Sequence, residues 1–281
     1  MNKVLEKFNN KNLNRDEMLI WWLGGASFYL KTSNYKIIID PYLTNSAFNV
    51  LRPFFDNPEK ELSRLESSPL EPNQIDCDYF ICTHDHLDHL DPDTIKGIRN
   101  KKDIKFIGPT SCTKHFKRLG IHNNNILEIS RGQSLKLDEK FYLRAINAKH
   151  RGPLDIKESI RLKREVYEED DGQGYLISID SIMIYHTSDT EYLEEFKNLK
   201  DLNIDIILLA ANGKGGNLTP EEGIKLIEII KPEVVIPMHY GVIPFTDIDP
   251  EIYRGLFKHA NIQSRLKLLN IGDLYLYRKE D

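Results

Sequence analysis

The run Thr83-His84-Asp85-His86-Leu87-Asp88-His89 carries the reading of this chain. It places three histidines and two aspartates within the six residues from His84 to His89, directly after the apolar stretch 78–83. That stretch reads as a strand, so the polar residues stand at its mouth. Packing such groups into a core costs roughly 2–7 kcal/mol for each neutral one left without a partner. A divalent cation resolves that cost for several of them together, and imidazole with carboxylate suits Zn²⁺, Mn²⁺ or Fe²⁺. In an extended or turning backbone His84 and His86 project to one side, while Asp88 and His89 come round in the next turn. One short segment can thus offer two ligands to each of two neighbouring cations. The bland alternative is a solvated His/Asp loop, which the ligand density and the strand-to-turn setting disfavour.

Upstream, the apolar runs 19–23 and 28–30, broken by Gly24-Gly25, and 35–40 after Ser33-Asn34 predict an antiparallel meander. Residues 9–16 read as a polar leader, and 45–75, rich in Pro, Glu and Ser, as an irregular excursion with one short helix. Downstream, a helix is expected over 92–100, a strand over 105–107 and a helix over 111–119. Strands at 126–129, 133–137 and 141–146 have the spacing of an antiparallel sheet. The charged segment 151–174 reads as a flap or excursion, with 161–171 a solvated face or a lid. A hairpin follows, 175–179 and 182–185 around Asp180-Ser181. The last third alternates strand 204–209, helix 220–230, strand 234–237, helix 250–259 and strands 266–269 and 274–277. Thr219-Pro220-Glu221-Glu222 marks a helix start through its capping hydroxyl, first-turn proline and later Glu. No composition break divides the chain, so 1–281 reads as one mixed α/β domain with two sheets and outer helices.

Of the 281 residues, 40% are hydrophobic and 29% charged, which suits a soluble globular domain. The net charge of −5 lacks the basic balance of a protein that grips a nucleic-acid polymer. Cys77, Cys82 and Cys112 form no C-x-x-C pair, an argument against a disulfide framework and for a reducing compartment. Cys82, inside an apolar run, reads as a buried inert thiol. Residues 1–14 lack the apolar stretch of a signal peptide, and no run reaches the length of a membrane span. A cytoplasmic protein with a small-molecule substrate is expected, with neither membrane nor nucleic-acid polymer as partner. A homo-oligomer stays open.

Other polar positions need weighing. His150 and His239 each follow an apolar segment, at strand ends where a site can be assembled, though a lone histidine is more often simply packed. Asp189 also fits a cap for a helix over 192–197. His186 reads as packed, and His115, His122 and His259 as residues of surface helices or loops. The turn Asn212-Gly213-Lys214-Gly215-Gly216-Asn217 can present N–H groups or Lys214 to a phosphate, and equally can be a flexible glycine turn. Arg151 can reach an anionic substrate or form a surface salt bridge, and Tyr240 is placed to donate to a developing oxyanion. The chain shows no G-x-S-x-G elbow and no reactive-cysteine signature.

The H-x-H-x-D-H pattern resembles the signature of the metallo-β-lactamase superfamily, and further landmarks follow in that family's order. They are Trp22-Leu23-Gly24, Ile39-Asp40-Pro41, Ile146-Asn147-Ala148-Lys149-His150, Tyr185-His186-Thr187-Ser188-Asp189-Thr190 and Val235-Ile236-Pro237-Met238-His239-Tyr240-Gly241. The resemblance runs over 20–241. It implies a four-layer αββα fold, two mixed sheets sandwiched between helices, and a metal-dependent hydrolase. It further implies that His84, His86 and His150 hold one divalent cation and that Asp88, His89 and His239 hold a second. Asp189 would bridge the two, and Asp40 would orient a ligating imidazole. Zinc is the first choice of metal, manganese or iron the alternatives.

The same resemblance makes Asp88 the catalytic residue, holding a metal-activated hydroxide and shuttling its proton. Members that reduce oxygen at a di-iron centre carry a carboxylate where His86 stands, so histidine there favours hydrolysis. Trp21-Trp22-Leu23-Gly24, the stretch from Phe106 to Cys112, Tyr185-His186 and residues 205–239 look most like the L-ascorbate-6-phosphate lactonase branch. The chain departs from that branch after Tyr42 and at Lys149-His150-Arg151, both of which bear on the pocket. The implied substrate is a small lactone or ester, a sugar-phosphate lactone included. A phosphodiesterase acting on small phosphodiesters or phospholipid-like substrates is the alternative, since such members share a similar H-x-H-x-D-H-L-D run. A non-catalytic metal-binding role is disfavoured by the completeness of the ligand set.

Overall fold

Strand β1 (Glu17–Gly24) is buried along its whole length, and its two faces serve two different cores. Met18, Ile20 and Trp22 point into one apolar cluster, while Leu19, Trp21 and Leu23 point into another. A strand covered on both faces reads as a continuous apolar run because alternate side chains meet different layers. The computed structural model describes residues 2–150 and 172–279.

The first sheet contains β1, β2 (Ser27–Lys31), β3 (Lys36–Ile39), β4 (Tyr79–Ile81), β5 (Lys105–Gly108), β6 (Ile126–Glu128) and β14 (Leu274–Arg278). Its order is β14-β1-β2-β3-β4-β5-β6, antiparallel from β14 to β3 and parallel from β3 to β6. The second contains β7 (Ser134–Asp138), β8 (Phe141–Asn147), β9 (Gln173–Ile179), β10 (Ile182–His186), β11 (Ile206–Ala210), β12 (Val234–Met238) and β13 (Arg265–Leu266). Its order is β13-β12-β11-β10-β9-β8-β7, parallel from β13 to β10 and antiparallel from β10 to β7.

The inner faces of both sheets share one core, in which Phe28, Ile39 and Ile81 meet Tyr175, Ile184 and Ile236. Outside the first sheet lie α1 (Lys3–Asn10), α4 (Pro92–Gly97) and α5 (Thr110–Arg118), contributing Phe8, Ile95 and Phe116. Outside the second lie α6 (Pro220–Ile230) and α7 (Ile252–His259), contributing Ile227 and Phe257. The four-layer αββα arrangement expected from the sequence is therefore present. The α6 start follows its cap: Thr219 Oγ1 accepts from Glu222 N at 3.2 Å, and Glu222 Oε2 accepts from Thr219 N at 2.9 Å. Among the described residues no helix is long and apolar enough to cross a membrane.

Several local expectations need correction. Part of the polar leader is α1, whose only buried residue, Phe8, packs on Trp21 and Tyr29. Val4 and Leu5 pack beside it at helical spacing, a short apolar stripe ahead of residues 9–16 that the reading of a polar leader passed over. The excursion 45–75 forms two short α-helices, α2 (Ser46–Leu51) and α3 (Pro58–Glu61), and two 3-10 helices, Arg52–Phe54 and Pro72–Gln74; Ala47 and Leu51 of α2 and Leu62 after α3 join an apolar cluster with Tyr42 and Ile243. The three strands expected as one antiparallel sheet are divided, since β6 closes the first sheet in parallel and β7 and β8 open the second. Residues Glu194–Leu199 form a 3-10 helix with Leu193 at its N-cap, so Asp189 does not cap it. The expected charged face or lid and Arg151 lie outside the described residues.

Candidate metal centre

Five strand ends converge on one edge of the sandwich. β3 and β4 are parallel neighbours, and β8 and β10 run in one direction because each is antiparallel to β9. β12 shares that direction through β11. Asp40 follows β3, the His84–His89 run follows β4, His150 follows β8, Asp189 follows β10 and His239 follows β12. Ligands gather at the carboxyl ends of strands in such sheets because the loops there are free to diverge. Asp40, Ser188 and His239 adopt left-handed φ values of 45, 59 and 69°, a cost that clusters at functional sites.

The seven residues expected as ligands come together. His84, His86 and His150 form one group in which all ligand atoms lie within 4.8 Å of one another. Asp88, His89 and His239 form another, and His84, His89 and Asp189 a third that joins them. Asp189 faces both sides: Oδ1 stands 3.1 Å from His239 Nε2 and 3.4 Å from His89 Nε2, and Oδ2 stands 3.5 Å from His150 Nε2. Asp88 Oδ2 lies 3.5 Å from His239 Nε2 and 3.8 Å from His89 Nε2. Donors about 2.0–2.1 Å from a tetrahedral cation stand about 3.3–3.4 Å apart, so all these separations but the 3.1 Å one suit a shared metal better than a direct hydrogen bond. His84 Nε2 and His89 Nε2 are buried with no hydrogen-bond partner among the described residues, which leaves two imidazole lone pairs for a cation.

A second set of contacts fixes which ring nitrogen faces the centre. His89 Nδ1 lies 2.8 Å from Asp40 Oδ2, and both side chains are fully buried. A carboxylate only accepts, so His89 carries its proton on Nδ1 and leaves Nε2 free. Thr83 does the same for His84. Its Oγ1 donates to Asp40 Oδ2 at 2.6 Å and so accepts from His84 Nδ1 at 3.0 Å. Thr83 N also donates to Asp40 Oδ1 at 2.7 Å. On the other side, Asn212 Nδ2 donates to Thr246 O at 2.8 Å and lies 3.3 Å from His239 Nδ1. Sequence reasoning singled out Asp40 and missed Thr83 and Asn212. Such residues are defined by what the fold brings beside them: Thr83 stood beside the motif, and Asn212 was read only as the start of a turn that could face a phosphate.

The electrostatics divide the cluster. Burial, followed by His89 and His86, holds the His84 imidazolium well below its ordinary range, and burial with His150 pushes His86 down to about 3. His150 is likewise lowered, first by burial. Burial would also lower His89 and His239, but Asp189 and neighbouring carboxylates outweigh it and raise both. Burial opposes ionisation of Asp189, yet His239, His89 and His150 hold its carboxyl well below the usual range. Two carboxylates, Asp88 and Asp189, thus sit among five imidazoles, an arrangement that divalent cations complete.

Other expected contacts fall differently. Tyr240 faces away from the centre: its hydroxyl donates to Leu269 O at 2.7 Å and accepts from Leu269 N at 3.1 Å, so it cannot serve a developing oxyanion. His115, expected at the surface, turns inward to 3.5 Å from Asp85 Oδ2. His186 is packed, as read, with Nδ1 accepting from Ser188 N at 3.1 Å. Lys214 Nζ donates to Asp247 O. It lines a cleft together with His86, Asp88, His150, Asp189 and His239. Ala47, Leu51, Phe55, Leu62, Ile243 and Phe245 form the apolar wall of that cleft.

A family model described as "Beta-lactamase superfamily domain" matches residues 19–239. The chain is similar to a UPF0173 metal-dependent hydrolase of Archaeoglobus fulgidus, 26% identical over 263 residues that cover 93% of this chain and 100% of the relative. Two solved structures share the fold. Igni18, a metallo hydrolase from Ignicoccus hospitalis, matches at 19% identity and a TM-score of 0.68, over 94% of this chain and 100% of that one. The isothiocyanate hydrolase from Delia radicum gut bacteria matches at 16% identity and a TM-score of 0.71, over 92% of this chain and 99% of that one.

Proposed function

The chain belongs to the β-lactamase superfamily and is a metal-dependent hydrolase of that fold, and we propose that it opens a small lactone or ester. The observation that carries this reading is the convergence of the seven ligand side chains at a cleft whose facing wall is apolar. An uncharged acyl group fits apolar walls, whereas a polyanion would find Lys214 as the only lysine or arginine among the described lining residues. A sugar-phosphate lactone stays within the proposal through that one anchor.

Two divalent cations, zinc first and manganese or iron as alternatives, would be held by His84, His86 and His150 and by Asp88, His89 and His239, with Asp189 between. Bound there, they would supply a water acidified towards a pKa of roughly 7 and Lewis-acid polarisation of the scissile carbonyl. Asp88 reaches the ligand cluster and also faces the cleft, so it can orient the attacking water, accept its proton and pass it to the leaving oxygen. Asp40 and Thr83 hold His89 and His84 in the tautomer that points Nε2 inward. No thiol competes as nucleophile, because Cys77, Cys82 and Cys112 are buried and burial pushes the first two up. A small-molecule partner is part of this proposal, supported by the apolar wall of the cleft.

The test is hydrolysis of γ-butyrolactone and p-nitrophenyl butyrate against bis-p-nitrophenyl phosphate by the metal-loaded protein, with His86→Ala and Asp189→Ala as controls. Lactone or ester turnover lost in both variants is expected. Preferential cleavage of the phosphodiester would replace this reading with a phosphodiesterase, and equal behaviour of wild type and both variants would remove the enzymatic site altogether.

A further inference from the structure

Asn217 stands at the wall of the cleft, and its side chain has no hydrogen-bond partner among the described residues. The residue is 7% exposed, and both Nδ2 and Oδ1 are buried without a hydrogen bond among the described residues. Its backbone fixes it there. Asn217 N donates to Lys214 O at 3.1 Å, and Leu218 N donates to Thr190 O at 2.7 Å, one residue beyond Asp189. Gly215 passes so near His150 that a Cβ placed on it would stand 4.0 Å from the ring Cε1. Asn217 lines the cleft together with His150 and Asp189. Burying a carboxamide carries the full desolvation penalty of a donor and an acceptor unless something pairs with them. A leucine of similar shape would avoid that penalty, and no group among the described residues uses the amide. An unpaired donor beside an unpaired acceptor is the complement of a ligand group that does both.

We infer that Asn217 is a specificity-determining residue that reads a hydroxyl carried by the substrate beside its scissile ester. The inference rests on the lactone or ester reading given above. One hydroxyl can accept from Nδ2–H and donate to Oδ1 together, closing a ring with the carboxamide. The trans amide of an open chain points its N–H and C=O in opposite directions and cannot satisfy both atoms. A site built this way rejects the analogue that lacks the hydroxyl, because its own polar atoms are then left unpaired.

The experiment compares α-hydroxy-γ-butyrolactone with γ-butyrolactone on the metal-loaded wild type and on Asn217→Leu, with thermal melting of both proteins. The wild type should favour the hydroxylated lactone in kcat/KM by about ten-fold or more, and the variant should bring that ratio near parity. It should also melt no lower than the wild type, which a structural asparagine would not allow. If the leucine variant does not fold, Asn217→Ser takes its place. A ratio retained in the variant overturns the inference. If the wild type opens neither lactone, the ester reading falls and a second readout decides. The side-chain ¹⁵N resonance of Asn217, assigned by its loss in the variant, should shift with 2,4-dihydroxybutyrate and not with 4-hydroxybutyrate. A resonance unmoved, or moved equally by both, overturns the assignment.

Discussion

Replacing Asp40 by alanine removes the acceptor that keeps the His89 Nδ1 proton turned away from the cleft. The freed ring can then take the other tautomer, and Thr83 loses the contact that orients His84. Metal affinity should fall by about 10–100-fold, read by competition with a chromophoric chelator. An unchanged affinity would mean that Asp40 does not govern the ligand. Tyr240→Phe tests the opposite case. Its hydroxyl is already used by Leu269, so turnover should persist while stability drops by about 1 kcal/mol in denaturant titration. A loss of turnover on the scale of about 10²–10³ would restore the oxyanion role. At this scale the densest information was legible in the sequence. His84 to His89 announce themselves because ligand-type side chains crowd one strand mouth. Thr83, Asn212 and Asn217 do not, since Thr and Asn are common in loops and their meaning depends on neighbours far along the chain.

β8 and β10, paired on either side of β9, bring His150 and Asp189 to the same edge, and the fit of β9 depends on Gly174. A Cβ there would stand 2.8 Å from His186 O and 2.9 Å from Thr187 O, two backbone atoms that cannot rotate aside. Gly174→Ala should therefore push β9 off the segment leading to Asp189. Stability is expected to fall by about 1–3 kcal/mol, with weaker metal binding, as measured by calorimetric melting and metal titration. A variant as stable and as tight-binding as wild type would show that the strands have slack. Elements with clear periodicity were readable: the β1–β3 meander, the β9–β10 hairpin and the capped α6 stand where alternation and turn chemistry put them. The failures differ in cause. α1 carries a short apolar stripe, Val4, Leu5 and Phe8, ahead of the polar residues read as a leader, and β6 to β8 look alike in sequence although they belong to different sheets. Local pattern specifies a strand and leaves its partner to tertiary packing.

Across the whole molecule, the centre is where the two sheets are joined. His84, His86, Asp88 and His89 come from the first sheet, and His150, Asp189 and His239 from the second. Neither sheet alone assembles either group of three, apart from the shared core beneath them. This explains why the fold class was accessible from the order of landmarks, while the choice of substrate was not. The cleft wall comes from the 46–62 helices and the loops around 214 and 245, segments with little periodicity of their own. The account stands on two cations held between the sheets. Anomalous diffraction at the zinc edge, from crystals of the zinc-loaded protein, tests that directly. Two peaks about 3.5–4 Å apart are predicted, one among His84, His86 and His150 and one among Asp88, His89 and His239, with Asp189 between them. A single peak, or none at these residues, would contradict it.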